Sequence, residues 1–262
     1  MVDSTRAHQR VERREPAGRR VTINDVLEKP VEVLITPAVS DRADLVIHFH
    51  GAAWLPMQAA EATGQQLVIA SVNLGAGSRR YSMPFEDPSV FVRLRDRIAA
   101  EVPKVGKVYL TGFSAGYGAI RAILRERPDE IDGVLLLDGL HASYIPDEKP
   151  VADGGTIDTS SLEPFLLFAE RAVRGEKRFV VTHSEIFPGT FASTTETADH
   201  LIAALQLRRT AVLEWGPLGM QKLSKVEKGG LVVWGFAGNT APDHIDHLHA
   251  YEDFLRLLLS GP

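Results

Sequence analysis

Short apolar, β-branched runs alternate with longer stretches of helical periodicity along this chain, and that alternation restricts its fold more than any other feature. Runs such as LVIHFH (residues 45–50) and GVLLLD (133–138) are almost continuously apolar, the pattern of strands buried on both faces. Strands are expected at 31–35, 45–49, 67–72, 107–111, 133–137, 178–182 and 231–234. Helices are expected at 89–101, 115–126, 162–174, 195–205 and roughly 242–259. In 89–101, Ser89 is the expected cap, and Val90, Val92, Leu94, Ile98 and Val102 supply the apolar stripe. The expected class is α/β, a mostly parallel central sheet with helices on both faces, because crossover helices are what join parallel neighbours. Two stretches, 141–161 and 206–229, are rich in turn formers and long for plain connections, and are expected as lids, pocket walls or surface decoration.

A length of 262 residues suits one α/β domain, expected over residues 21–262 behind a basic tail at 1–20 that is solvated or partly frayed. Six arginines between Arg6 and Arg20 mark that tail, with an anion-binding arm as the alternative. The tail has no apolar segment and does not read as a secretory signal. A leader removed earlier would leave the same residues, so the compartment stays open, with the cytoplasm as default. No run of about 18 apolar residues occurs, which argues against a membrane span. A net charge of −5 argues against nucleic acid as partner, since phosphate binders present a basic face. The absence of cysteine removes disulfides, thiolate catalysis and Cys-ligated zinc together.

One motif stands in a context that gives it chemical meaning. Gly112-Phe113-Ser114-Ala115-Gly116 follows the expected strand at 107–111 directly and runs into the expected helix at 115–126. Gly-x-Ser-x-Gly between a strand and a helix is the pattern of a nucleophile elbow, a sharp turn that holds a serine hydroxyl out at the carboxyl edge of a sheet. Its glycines are needed because a side chain there would strike the neighbouring strand or helix.

With this elbow the sequence resembles the α/β-hydrolase superfamily, from residue 31 to the C-terminus. The resemblance implies Ser114 as nucleophile and an oxyanion hole built from two backbone N–H groups. One is that of Ala115, the residue after the serine. The other is assigned to Ala52, because His50-Gly51 after the strand LVIHF resembles the superfamily's His-Gly oxyanion loop. The base is expected after the last strand, where LVVWGFAGNTAPDHIDHLH carries His244, His247 and His249. His244 is nearest the loop and is the first choice; His247, one helical turn on, is its competitor, and His249 points elsewhere. The acid is expected between serine and histidine in chain order. Asp138, ending GVLLLD, is preferred, and Glu185 after RFVVTHS is the alternative. The implied activity is hydrolysis of a small-molecule carboxylic ester through an acyl-enzyme, without a cofactor; the same fold also carries peptidases and amidases.

Other features are weighed against this reading. Arg79, Arg80 and Tyr81 belong either to a solvated loop or to a site mouth that holds an acidic group. Six Ser and Thr hydroxyls between Thr182 and Thr195 line a polar pocket or cap the following helix through Thr194 or Thr195. Trp54, Trp215 and Met220 are core residues or pocket walls. A metal-dependent hydrolase using His48, His50, His244 and His247 is a rival, although Ala52 and Ala53 stand where a His-x-His-x-Asp-His site needs its last two ligands. A catalytically silent hydrolase scaffold that binds a ligand or partner is another. Nucleotide binding at NLGAGSRR is excluded, because Arg80 occupies the third glycine position.

Overall fold

The structure, a computed structural model, describes residues 9–261; Arg6 and the start of the expected tail lie outside the described residues. In chain order the elements are β1 (Arg19–Ile23), β2 (Val31–Ile35), β3 (Ala43–Phe49), α1 (Trp54–Ala62), β4 (Leu67–Val72), α2 (Ser78–Phe85), α3 (Pro88–Ala99), β5 (Val105–Phe113), α4 (Tyr117–Glu126) and β6 (Gly133–Leu137). They continue as β7 (Tyr144–Ile145), β8 (Thr156–Ile157), α5 (Glu163–Val173), β9 (Arg178–His183), α6 (Thr194–Ala204), β10 (Thr210–Trp215), β11 (Gln221–Lys228), β12 (Leu231–Phe236), α7 (Ala241–His249) and α8 (Tyr251–Leu259). The described residues fall into two compact units. One comprises Glu12–Leu135 with Tyr251–Gly261, and the other comprises residues 9–11 with Leu136–Ala250.

In the first unit the strand order is β1-β2-β4-β3-β5-β6. β3 lies parallel to both β4 and β5, while β2 and β1 extend the β4 side antiparallel. β4 is buried at all six positions, which is why its sequence LVIASV shows no alternation. In the second unit the order is β9-β12-β11-β10, with β9 and β12 parallel and the last two strands antiparallel. All seven expected strands are present, and each unit has the parallel pairing of the α/β arrangement that the alternation of elements implied. Among the described residues no helix is long and apolar enough to cross a membrane.

Several local expectations are corrected. The cap of α3 is Asp87, whose carboxylate accepts from the Ser89 N–H at 2.9 Å, with Pro88 at the first helical position. The cap of α6 is Ser193 rather than Thr194 or Thr195, in a reciprocal pairing with Glu196. The terminal helix at 242–259 is two helices, broken at Ala250. Residues 206–229 are mainly a hairpin, β10 to β11, with Leu213 and Trp215 exposed on it. Helix α1 was not expected because it is buried over Leu55 to Ala60 and lacks the polar face that produces a period. The stretch around Arg79 is likewise helix α2, with Tyr81 and Phe85 buried one turn apart.

Candidate active site

In the first unit, β5 ends at Phe113 in extended conformation and the next residue, Ser114, takes φ 46°. That is the left-handed region, costly for a residue with a Cβ. Ser114 and Ala115 are half-buried and open a short 3-10 turn, Ser114–Gly116, from which α4 starts. Close packing forces this geometry: a Cβ on Gly116 would collide with the Phe49 carbonyl oxygen at the end of β3. A Cβ on Gly112 would press on the Ile120 side chain at 3.0 Å. The elbow is thus seated against β3 and its own helix; a side chain at Gly116 would require backbone movement, and one at Gly112 a small shift of its neighbours.

Beside it in the sheet, β3 runs out into His50, Gly51 and Ala52. His50 (φ 72°) and Gly51 (φ 113°) both have left-handed φ, so the chain reverses sharply and leaves Ala52 exposed. The His50 ring stacks on Phe113 with centroids 5.8 Å apart and planes 7° from parallel. Its Nδ1 lies 2.9 Å from the hydroxyl of Tyr81, a fully buried side chain on α2 whose pKa is raised by that burial. His48, two residues back, is buried inside the sheet with Nδ1 2.9 Å from Thr111 Oγ1, and burial lowers its pKa to about 3.

In the second unit, Asp138 follows β6 in a left-handed conformation (φ 43°) with only 2% of its surface exposed. Four donors surround its carboxylate. Ser184 N–H (2.9 Å) and Thr194 Oγ1–H (2.7 Å) donate to Oδ1; Ser184 Oγ–H (2.7 Å) and the His244 ring at Nδ1 (2.7 Å) approach Oδ2. Burial works against the charged form, but the influence of His247, the hydrogen bond and charge of His244 and the Ser184 N–H outweigh it, holding this carboxyl well below the usual carboxylate range. An ionised carboxylate only accepts, so His244 donates to it through Nδ1–H.

His244 lies in the first turn of α7, which is started by Thr240 and Asp243 in a reciprocal cap with Pro242 just inside. The neighbouring histidines are differently placed. His247 is buried with Nδ1 2.8 Å from Thr182 Oγ1, and burial pushes its pKa down. His249 is buried, with Nδ1 3.7 Å from Asp246. Glu185 is exposed, and its carboxylate reaches the Gly238 N–H at 3.4 Å and not a histidine. Among the described residues no group of three or more His, Cys, Asp or Glu side chains is arranged to hold a metal ion.

Ser184 and Thr194 at the Asp138 carboxylate, and Tyr81 at His50, are partners that no sequence motif announces. The signal available for the first pair was the hydroxyl-rich stretch from Thr182 to Thr195, whose hydroxyls surround Asp138 and the neighbouring histidines His183 and His247. Trp215 is 76% exposed, and Met220 is buried.

No protein-family model matches the sequence, and no curated protein matches it either. Solved structures do match. A zinc-bound, cold-adapted esterase from an Arctic intertidal metagenomic library superposes over 92% of this chain and 93% of its own, at 15% identity and TM-score 0.51. The chain has the α/β-hydrolase fold. Other structures of this fold agree: an acetyl xylan esterase from Aspergillus awamori covers 90% of this chain and all of its own length (100%) at 13% identity and TM-score 0.52. Carboxylesterase CesB from Bacillus subtilis covers 94% of this chain and 93% of its own at 8% identity and TM-score 0.52. Identities this low establish the α/β-hydrolase architecture and leave function to the residues.

Proposed function

We propose that this chain is a serine hydrolase that cleaves small-molecule carboxylic esters through an acyl-enzyme. Ser114 carries the reading: a serine at φ 46° on a strand-to-helix turn is conformational strain that persists only where the surroundings enforce it, and such strain concentrates at reacting groups. In the proposed cycle, Ser114 Oγ attacks the ester carbonyl as His244 Nε2 takes its proton. The N–H groups of Ala52 and Ala115 receive the oxyanion, a contribution of about 3 kcal/mol per donor. Collapse breaks the carbon–oxygen bond to the alcohol, which leaves with the proton from His244. Water then attacks the acyl-Ser114 ester with His244 again as base, releasing the carboxylic acid and restoring the serine. Asp138 supports this by holding the proton on Nδ1 and stabilising the imidazolium that forms at each step. No cofactor enters the scheme. That the solved structures of the same fold are esterases supports esters ahead of amides.

A fluorophosphonate probe tests the reading directly. Wild type should be labelled, Ser114→Ala should not, and a panel of chromogenic esters of increasing acyl length should be hydrolysed by wild type alone. Unlabelled wild type, or equal labelling of Ser114→Ala, overturns it.

A further inference from the structure

We infer that Asn73 is a positioning residue that aims the oxyanion-hole N–H of Ala52 at the nucleophile; the inference rests on the serine-hydrolase reading above. Asn73 follows β4 directly, and its Nδ2 donates to the Gly51 carbonyl oxygen at 3.0 Å. Gly51 O and the Ala52 N–H belong to one peptide. In a trans peptide the two point in opposite directions. The sheet order supplies the direction: β3 lies between β4 and β5, with Phe49 level with Val72 on one side and with Gly112 on the other. Asn73 stands one residue beyond Val72, and Ser114 two beyond Gly112. Drawing the Gly51 carbonyl toward the β4 side therefore turns the Ala52 N–H toward the β5 side, where Ser114 and Ala115 stand.

The amide is itself held in the one orientation that does this. Its Oδ1 accepts from the Gly75 N–H at 3.2 Å and from the Tyr81 hydroxyl at 3.3 Å, so Nδ2 faces Gly51. The reversed amide would set two donors against Nδ2 and two oxygens against each other. Tyr81 ties the assembly together, since its oxygen also accepts from the Leu74 N–H at 3.1 Å and stands 2.9 Å from His50 Nδ1. With left-handed φ at His50 and Gly51, this loop needs such an external anchor to keep one conformation.

The experiment compares wild type, Asn73→Asp and Tyr81→Phe. Asn73→Asp keeps the shape of the side chain but turns a carboxylate oxygen toward the Gly51 carbonyl, so the peptide is repelled where it was held. Two rates are read: labelling of Ser114 by a fluorophosphonate, and kcat on p-nitrophenyl acetate beside its thionoester, whose sulfur is a weak hydrogen-bond acceptor. For Asn73→Asp the labelling rate and the oxoester kcat should fall about 10²-fold, the cost of one misaligned donor, with KM little changed. The ratio of oxoester to thionoester rates should fall with them, which a general loss of packing would not produce. Tyr81→Phe should move the same readouts in the same direction by less, and reports on the anchor should Asn73→Asp fail to fold. An unchanged rate ratio and labelling rate in a folded Asn73→Asp protein, with Ser114→Ala dead, overturns the role of Asn73 alone. Wild type that is not labelled at Ser114 overturns the serine-hydrolase reading and this inference with it.

Discussion

His244 and Asp138, 106 residues apart in the chain, meet through one hydrogen bond of 2.7 Å, Nδ1–H to Oδ2, at a carboxylate that three further donors already hold in place. The remaining carboxylate valence is thus spent on orienting one ring. His247, one turn further along α7, is engaged by Thr182 instead.

Substitution of the two histidines should therefore separate chemistry from stability. His244→Gln should lower kcat on a chromogenic ester by about 10⁴–10⁶-fold, at least as much as loss of the acid that acts through it, with little change in Tm. His247→Gln should lower Tm and leave most of kcat. Asp138→Asn should cost roughly 10⁴-fold in kcat, as expected where the acid sets the tautomer. Normal turnover by His244→Gln would transfer the base to another residue.

Gly116→Ala should be severe although it adds one methyl group. The new Cβ is directed at the Phe49 carbonyl oxygen, a backbone atom that cannot swing aside. Destabilisation of several kcal/mol, on the order of that for other forced backbone shifts, should appear in urea unfolding together with loss of fluorophosphonate labelling. A variant as stable and as reactive as wild type would show that the elbow has room the structure does not grant it.

Ser114→Gly should do the reverse, abolishing activity while raising stability. Glycine removes the left-handed penalty of about 1–2 kcal/mol at φ 46° but costs about 0.4–1 kcal/mol in chain entropy, leaving a net gain below about 2 kcal/mol. Thermal unfolding of Ser114→Gly beside Ser114→Ala isolates the backbone effect, since alanine keeps the strain.

Stability should fall on acidification in two stages. His48 and His183 are buried with pKa values lowered to about 3 and about 4, by burial and, for His183, also by Arg209. Their lowered folded pKa values mean that the unfolded chain takes up protons first. Their contribution is complete above the unfolded value of about 6.5 and lost as pH falls from there toward 4 and 3. Each should cost on the order of 2 kcal/mol at pH 5 relative to pH 8. Asp138, also lowered, keeps its contribution until the pH drops below the unfolded value of about 3.9. Urea titrations from pH 8 to 3 should show the histidine stage first, and His48→Asn should reduce it.

The sequence by itself determined the α/β class, the seven strands and the elbow, because these follow from local rules: continuous apolar runs, helical periodicity, and glycines at a strand-to-helix turn. It also narrowed the acid and the base to two residues each. Sequence position alone does not separate them, since Asp138 and Glu185 both follow strand ends and His244 and His247 share one helix. Only the folded chain brings Ser184, Thr194 and His244 to Asp138, and puts Glu185 on Gly238 and His247 on Thr182. The same holds for Asn73 and Tyr81, polar residues of a glycine-rich stretch whose purpose appears only when β4 lies beside β3. Periodicity reports which face of an element is buried; which side chain answers a buried carboxylate or a loop carbonyl is decided by neighbours that are distant in sequence.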